Sequence, residues 1–185
     1  MPDSLQDPIM EKHYAETVPS QRTYLVDKHR FKFEGLFIIQ DLYKLIDEYV
    51  EEKGYDKCEL KNAEVVRNDG VRFIELLIEP WKKITDYARS RFKMRMIIED
   101  AREVEIKKNG LKVQAHHGKI LFTFDVYVET EYEKRWSSKS SFAVIRVLFD
   151  RFFFKEYTKK YSAEVLDDYN MLVYQIKAYL NIHQK

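Results

Sequence analysis

The stretch from Arg89 to Thr130 constrains the fold more than any other part of the chain, because its apolar side chains recur at every second position. A period of two places side chains on one face of a β-sheet. The apolar set comprises Phe92, Met94, Met96, Ile98, Val104, Ile106, Leu111, Val113, Ala115, Ile120, Phe122, Phe124, Val126 and Val128. The pattern predicts four antiparallel strands that share one buried face.

Three turns are predicted to join these strands. The first, at 109–110, is an Asn-Gly pair, which suits a type I′ turn because both central residues need a positive φ. The other two are a three-residue loop around Asp100 and a two-residue turn at His117–Gly118. The predicted partners are Ile106 with Val113, Val104 with Ala115, Ile98 with Val104, and Ala115 with Ile120. Since a slip of one residue would send the apolar face to water, the register is strongly specified.

The spacing of apolar residues predicts further elements before this stretch. A strand over 23–34 ends at Gly35, and a helix over 36–53 is capped by Gly54 in the left-handed conformation. Strands over 57–66 and 71–79 follow, joined by a turn at 68–70. The second is apolar on both faces, which favours a central position in the sheet. Residues 80–87 are either a loop or a continuation after a bulge.

The last third of the chain is predicted to be helical. An apolar helix spans 142–157, and Ser162 is expected to cap a last helix that reaches about Ile182. Residues 158–161 leave open whether these are one bent helix or two. The aromatic run 152–154 either is buried in the core or meets a partner or bilayer surface.

Together these elements predict an α+β fold with a helix-grip-like order. Its sheet is an antiparallel β-meander of five to seven strands, with one helix after the first strand and long C-terminal helices packed on one face. The 185-residue length fits a single domain over 23–185. Residues 1–22 hold three of the four prolines and predict an extended N-terminal arm, either a disordered tail or a segment that orders on a partner.

Composition narrows the classes of function. The 32 basic and 31 acidic residues give a net charge of +1, so nucleic acid is not an expected partner. Peripheral membrane contact stays open, without a feature that supports it. The single cysteine, Cys58, excludes an internal disulfide and a multi-thiolate zinc site, and favours a reduced, cytoplasmic setting.

Two groups of polar residues carry candidate chemistry. Arg89, Arg91, Lys93 and Arg95 alternate on the opposite face of the central strand, a stripe that could track phosphates. The favoured interpretation is a solvated face balanced by acidic residues on neighbouring strands, namely Glu103, Glu105 and Glu129. Adjacent residues of a strand point oppositely, so the pair His116–His117 does not predict a metal site.

No catalytic motif is present, and we assign no catalytic residue, metal or cofactor. The paired carboxylates Asp167–Asp168 are expected to lie on a helix surface. Catalytic groups that are distant in the sequence can come together when the chain folds, so the sequence leaves catalysis open. The favoured interpretation is that the protein is not an enzyme.

In element order, residues 23–182 resemble the helix-grip arrangement of START-like proteins. That resemblance implies a curved sheet around a C-terminal helix and an enclosed hydrophobic ligand. Five segments resemble, in their local sequence, those of a family of uncharacterised archaeal proteins: FEGLF (33–37), DLYKLIDEY (41–49), GYDK (54–57), EPWKKITDY (79–87) and VETEYEKRW (128–136). This resemblance implies no activity.

The leading functional hypothesis is a non-enzymatic interaction or assembly subunit that binds a protein partner or associates with itself. Val144, Leu148 and Phe154 are its candidate interface residues on the 142–157 helix, whereas Phe149 is predicted to be structural. The rival hypothesis is a helix-grip binding protein for an apolar small molecule or lipid. A third is an enzyme built on the same pocket, with tyrosine and arginine side chains as its acid and electrostatic groups.

Overall fold

The computed structural model describes residues 21–85, 88–108, 111–130 and 154–182. In chain order the elements are β1 (Gln21–Phe37), α1 (Ile39–Glu52), β2 (Glu59–Val66), β3 (Arg72–Ile78), β4 (Trp81–Lys83), β5 (Ala88–Lys108), β6 (Leu111–Thr130) and α2 (Phe154–Ile182). The strands form one six-stranded antiparallel sheet in the order β1-β6-β5-β3-β2, with β4 paired to β5. The predicted α+β class, the helix after the first strand and the C-terminal helix are confirmed.

β5 and β6 form one long hairpin and not four strands. Ala88 lies opposite Thr130 at its base, and the partners run out to Lys108 and Leu111 beside the predicted 109–110 turn. The predicted loop at Asp100 is wrong, since the strand continues there through a register shift with a φ of 54°. The predicted pairs that lie beyond this kink, Ile106 with Val113 and Val104 with Ala115, are confirmed.

The predicted turn at His117–Gly118 is also wrong, because β6 continues through both residues. Gly118 lies opposite Gly35 of β1, and Ile98 lies opposite Ile120 instead of Val104. The predicted single apolar face is wrong for the same reason. Ala115 and Ile120 are five residues apart in a continuous strand and so lie on opposite sides of the sheet, and the extra residue in β5 places Val104 on the side opposite Ile98.

The remaining boundaries are close to those predicted. β1 continues past Gly35 to Phe37, so α1 begins only at Ile39, and Gly54 follows it with a φ of 71°. Pro80 ends β3, and the chain resumes in the sheet as the short strand β4. The arm over 1–20 lies outside the described residues, whereas 21–22 already belong to β1.

The core lies between one face of the sheet and the two helices. α1 buries Ile39, Leu42, Ile46, Tyr49 and Val50, and α2 buries Val165, Tyr169, Leu172, Val173, Ile176 and Leu180. α2 is continuous from Phe154 through Ser162, so the predicted cap at Ser162 is wrong. A fully buried large apolar side chain contributes about 1.5–3 kcal/mol, and this layer holds many of them.

Candidate interaction surface

β2 lies at one edge of the sheet and pairs only with β3 in the described part of the chain. All of its side chains are exposed except Ala63, which is half-buried. Leu60, Val65 and Val66 are 44%, 58% and 56% exposed. An exposed edge strand that carries apolar side chains is a template for pairing with another chain.

A tight turn over 67–70 fixes the register of β2 along β3. The N–H of Gly70 donates to the carbonyl of Arg67 at 2.9 Å, and Gly70 has a φ of 79° that favours glycine. The N–H of Arg67 donates to the carbonyl of Val71 at 2.9 Å. Because hydrogen-bonded and non-hydrogen-bonded pairs alternate in an antiparallel ladder, the backbone groups of Asn62, Glu64 and Val66 point away from β3.

The opposite edge of the sheet is built differently. β1 has register shifts between Tyr24 and Val26 and between Val26 and His29, and Lys28 adopts a φ of 49°. Its exposed side chains are mostly charged: Asp27, Lys28, Arg30, Lys32 and Glu34. Bulges and charges of this kind prevent edge-to-edge pairing. β2 has one register shift, at its start, and a regular ladder from Lys61 to Val66.

Ion pairs hold two of the three charged side chains of β2, Lys61 and Glu64, against the sheet. Lys61 donates to Glu75 of β3, which also binds Arg95 of β5 at 2.7 Å. The hydrogen bonds from Lys61 and then Arg95 lower the pKa of the Glu75 carboxyl below its ordinary value. On the other face, Glu64 accepts from Arg72 at 3.0 Å. The exposed apolar side chains of β2 are those of Leu60, Val65 and Val66.

The basic stripe Arg89, Arg91, Lys93 and Arg95 lies on the sheet face opposite the core, and three of its members are in ion pairs. Arg89 donates to Glu129 at 2.6 Å, and Arg91 lies 3.2 Å from the same carboxylate. Arg91 also pairs with Glu79 at 3.3 Å. Glu129 is only 2% exposed and the two arginines are half-buried beside it, so this end of the stripe is held in ion pairs and is not an open phosphate track.

The other predicted balancing residues have different partners. Glu103 binds Arg72, and Glu105 accepts from Lys112 at 3.0 Å. The stripe is therefore neutralised mainly from β3 and β6, by residues that β5 meets only in the folded sheet.

His116 and His117 point to opposite sides of β6, as expected for neighbours in a strand. His116 is buried and stacks on Phe37 with a centroid distance of 6.3 Å, whereas His117 is exposed. Burial, followed by the nearby Arg72 guanidinium, lowers the pKa of the His116 imidazole. Within the described ranges, no group of three or more histidine, cysteine or acidic residues could hold a metal ion.

The prediction that both Asp167 and Asp168 lie on a helix surface is wrong for Asp168. Its neighbour Asp167 is exposed, but Asp168 is 6% exposed. The Asp168 carboxylate accepts from the Tyr55 hydroxyl at 3.2 Å and pairs with Lys53 at 3.2 Å. A signal existed in the sequence, because Asp168 lies three residues after Val165 in the apolar stripe of α2.

Within the 142–157 segment the structure describes only the backbone from Phe154 onwards. The candidate interface residues Val144 and Leu148, and the predicted core residue Phe149, lie outside the described residues. The third candidate, Phe154, is the first residue of α2, and its side chain is not described. The β2 edge was missed as a site. Its signal was the contrast between the polar strand 59–66 and the apolar strand 72–78 that follows it.

Two hollows among the described residues are open surface grooves. One, of about 420 Å³, lies between α1 and α2, and the other, of about 320 Å³, lies at the C-terminal end of α1. Between the helices and the sheet, Met96, Phe122, Phe124 and Ile176 are at 0% exposure.

Comparisons with protein-family models, curated proteins and solved structures find no match to this chain. No helix in the part of the chain that the structure describes is long and apolar enough to cross a membrane.

Proposed function

We propose that the protein is a non-enzymatic interaction subunit whose contact surface is the β2 edge. The observation that carries this proposal is the exposed, regular edge strand with three apolar side chains, Leu60, Val65 and Val66. An added strand would bind through the outward-pointing backbone groups, and the alternate side chains would give specificity.

The contrast between the two edges supports this choice. The bulges in β1, the left-handed backbone conformation of Lys28 and the charged side chains disfavour pairing of β1 with another strand. β2, in contrast, is regular over 61–66. The two hollows found among the described residues are open to solvent, whereas a helix-grip carrier needs an enclosed space for its ligand.

Sedimentation of the full chain at micromolar concentration tests the proposal when wild type is compared with Glu64→Pro. The N–H of Glu64 points away from β3, so proline removes an edge donor without removing a bond of the β2–β3 ladder. We expect the wild type to associate and Glu64→Pro to lose that association at an unchanged melting temperature.

Glu64→Ala is the matched control, because it removes the same carboxylate and its pairing with Arg72 but keeps the N–H. It should retain the association. Native mass spectrometry of the freshly purified protein tests the rival hypothesis, as a retained small ligand adds mass to the monomer. A wild-type monomer with such a ligand, or an association that Glu64→Pro leaves intact, would overturn the proposal.

A further inference from the structure

We propose that the sheet face opposite the core (the outer face) binds a single-stranded nucleic acid through its phosphates. The binding track follows the middle of β6, between cations of its neighbours β1 and β5. It lies on the open face of the sheet and not at the β2 edge, so its test stands apart from that of the proposed function.

Four cations define this track. Arg30 of β1 and Arg95 of β5 both lie opposite Thr123 of β6, from its two sides, so all three side chains lie on the same face. Neighbouring strands are about 4.8 Å apart, which separates the two arginine Cα atoms by roughly 10 Å. Lys32 and Lys93 lie on the same face, each two residues or about 7 Å along the strand from the arginine. The cations therefore form two rows, one on each side of β6.

Three of these cations are available to a ligand. Arg30, Lys32 and Lys93 are exposed, and within the described ranges no carboxylate lies at ion-pair distance from their side chains. This half of the outer face thus differs from the end of the basic stripe at Arg89 and Arg91, which is held in ion pairs.

The carboxylates nearest the track do not cancel its charge. Glu75 is 9% exposed and binds both Lys61 and Arg95, so these three groups together keep one positive charge. Asp125 lies opposite Lys93, and its Oδ1 already accepts from a backbone N–H of β1 at 2.8 Å. Asp125 offsets at most one cation, so the track stays positive.

Charge is divided between the two sides of the molecule. α1, which packs on the core face, carries five acidic residues and one lysine. The net charge of +1, on which the expectation of no nucleic-acid partner rests, is an average over this acidic side and the basic outer face. Such a field steers a polyanion to the outer face and away from the helices.

An exposed aromatic ring on the outer face favours a nucleic acid over an anionic membrane. Tyr24 of β1 is 51% exposed and lies opposite Tyr127, which follows Thr123 by four residues or roughly 14 Å. Proteins that bind single strands combine a basic groove along the backbone with aromatic rings on which bases stack. A bilayer would need apolar side chains to insert, and Leu121 on the track floor is half-buried.

Salt dependence tests the phosphate contacts. Fluorescence anisotropy measures binding of the full chain to a labelled oligothymidylate of about 20 nucleotides. Four phosphate contacts on a single strand should make binding roughly 50-fold weaker at about 200 mM salt than at about 50 mM. Arg30→Gln, Lys32→Gln and Lys93→Gln together leave one contact, and this ratio should fall to about 3-fold. Their side chains are exposed, so the melting temperature should not change.

A second triple variant is the matched control for net charge. Lys44→Gln, Lys57→Gln and Lys112→Gln remove three positive charges away from the track, from α1, from the segment after it and from the far end of β6. These lysines pair with carboxylates at the surface, where such pairs contribute little to stability. This variant should keep the affinity and the salt dependence of the wild type.

Tyr24→Ala tests the stacking of a base. Affinity for the oligothymidylate should fall about 5- to 150-fold. The salt dependence should not change, because a stacked base releases no counterion. Tyr174→Ala is the control, since Tyr174 is 67% exposed on α2, and it should bind as the wild type does.

The outcomes decide the proposal. Salt-dependent binding that is lost in the track variant and kept in the control variant supports it. Equal loss in both triple variants, no binding by the wild type at about 50 mM salt, or full affinity of Tyr24→Ala overturns it. Adsorption to phosphatidylserine vesicles through the same three cations, without affinity for the oligonucleotide, also overturns it and assigns the face to a membrane. None of these substitutions lies in β2, so association that is lost in Glu64→Pro stands or fails separately.

Discussion

Gly118 of β6 lies against the backbone of Ala101 of β5 so closely that a Cβ atom at position 118 would be 2.8 Å from the Ala101 Cα. The same Cβ would lie 3.0 Å from the Glu99 carbonyl oxygen and 3.1 Å from the Ala101 nitrogen. These are backbone atoms, which cannot rotate away as a side chain does. The contact sits at the kink where β5 shifts register between Glu99 and Arg102.

Gly118→Ala should therefore destabilise the fold by about 1–3 kcal/mol, the usual range for overpacking a tight contact. Urea denaturation monitored by circular dichroism measures the change. Lys119→Ala, at the exposed neighbouring position, is the control and should stay within about 0.5 kcal/mol of wild type. Equal stability of Gly118→Ala and wild type would show that the kink can relax.

Asp168→Ala should destabilise the protein, whereas Asp167→Ala should not. Removing the Asp168 carboxylate leaves the buried Tyr55 hydroxyl without its acceptor, which costs about 1–3 kcal/mol. Asp167 is exposed on the same turn of α2, so its loss should change stability by less than about 0.5 kcal/mol. Thermal melts of the two variants compare them directly, and equal melting temperatures would contradict a structural role for Asp168.

Acid should weaken the fold through His116. Burial holds the pKa of His116 below its ordinary value, so the unfolded chain takes up the proton first as pH falls. Stability is then fully present above about pH 6.5 and is lost as pH drops below that value. Arg72 opposes protonation, whereas Glu103 and Glu64 favour it without reversing the direction.

Urea denaturation midpoints between neutral and mildly acidic pH measure this loss. His116→Gln should flatten the dependence, and the exposed His117→Gln should leave it unchanged. If both variants keep the slope of the wild type, other groups account for it.

Alkali should destabilise the protein through its buried tyrosines. Burial raises the pKa of Tyr43, Tyr169 and Tyr179 to about 12 each. The unfolded phenols lose their protons near pH 10, so stability is present below that value and falls as pH rises from about 10 to 12. Phenolate absorbance during an alkaline titration should show a late component that coincides with loss of the helical circular dichroism signal. Complete ionisation near pH 10 with the fold intact would refute this.

The sequence predicted what depends on local patterns and missed what depends on strand order. The pairing of Lys108 with Leu111 agrees with the hairpin that the sequence predicted there, while the Asn-Gly turn at 109–110 lies outside the described residues. Asp100 and Gly118 were taken for turns because turns there would keep every apolar residue on one face, whereas the continuous strands place those beyond the kink on the other face. The ion pair of Arg95 with Glu75 needed the knowledge that β3 lies beside β5.

The candidate site could be predicted only in part, from the contrast between the polar strand 59–66 and the apolar strand 72–78. Val65 and Val66 themselves have the composition of an ordinary half-buried strand, so their exposure could not be derived from their own sequence. The exposure of these residues follows from the position of β2 at the end of the strand order.

The pairing of β1 with β6 sets an order of events during synthesis of the chain. Gln21 lies opposite Thr130 and Phe37 opposite His116, so the partner of β1 follows it by 79 to 109 residues. A ribosome adds roughly 5–20 residues per second, so β1 leaves it roughly 4–22 seconds before its partner has been made. During that interval this 17-residue strand is unpaired and could pair with strands of other chains. Its charged side chains and bulges disfavour such pairing.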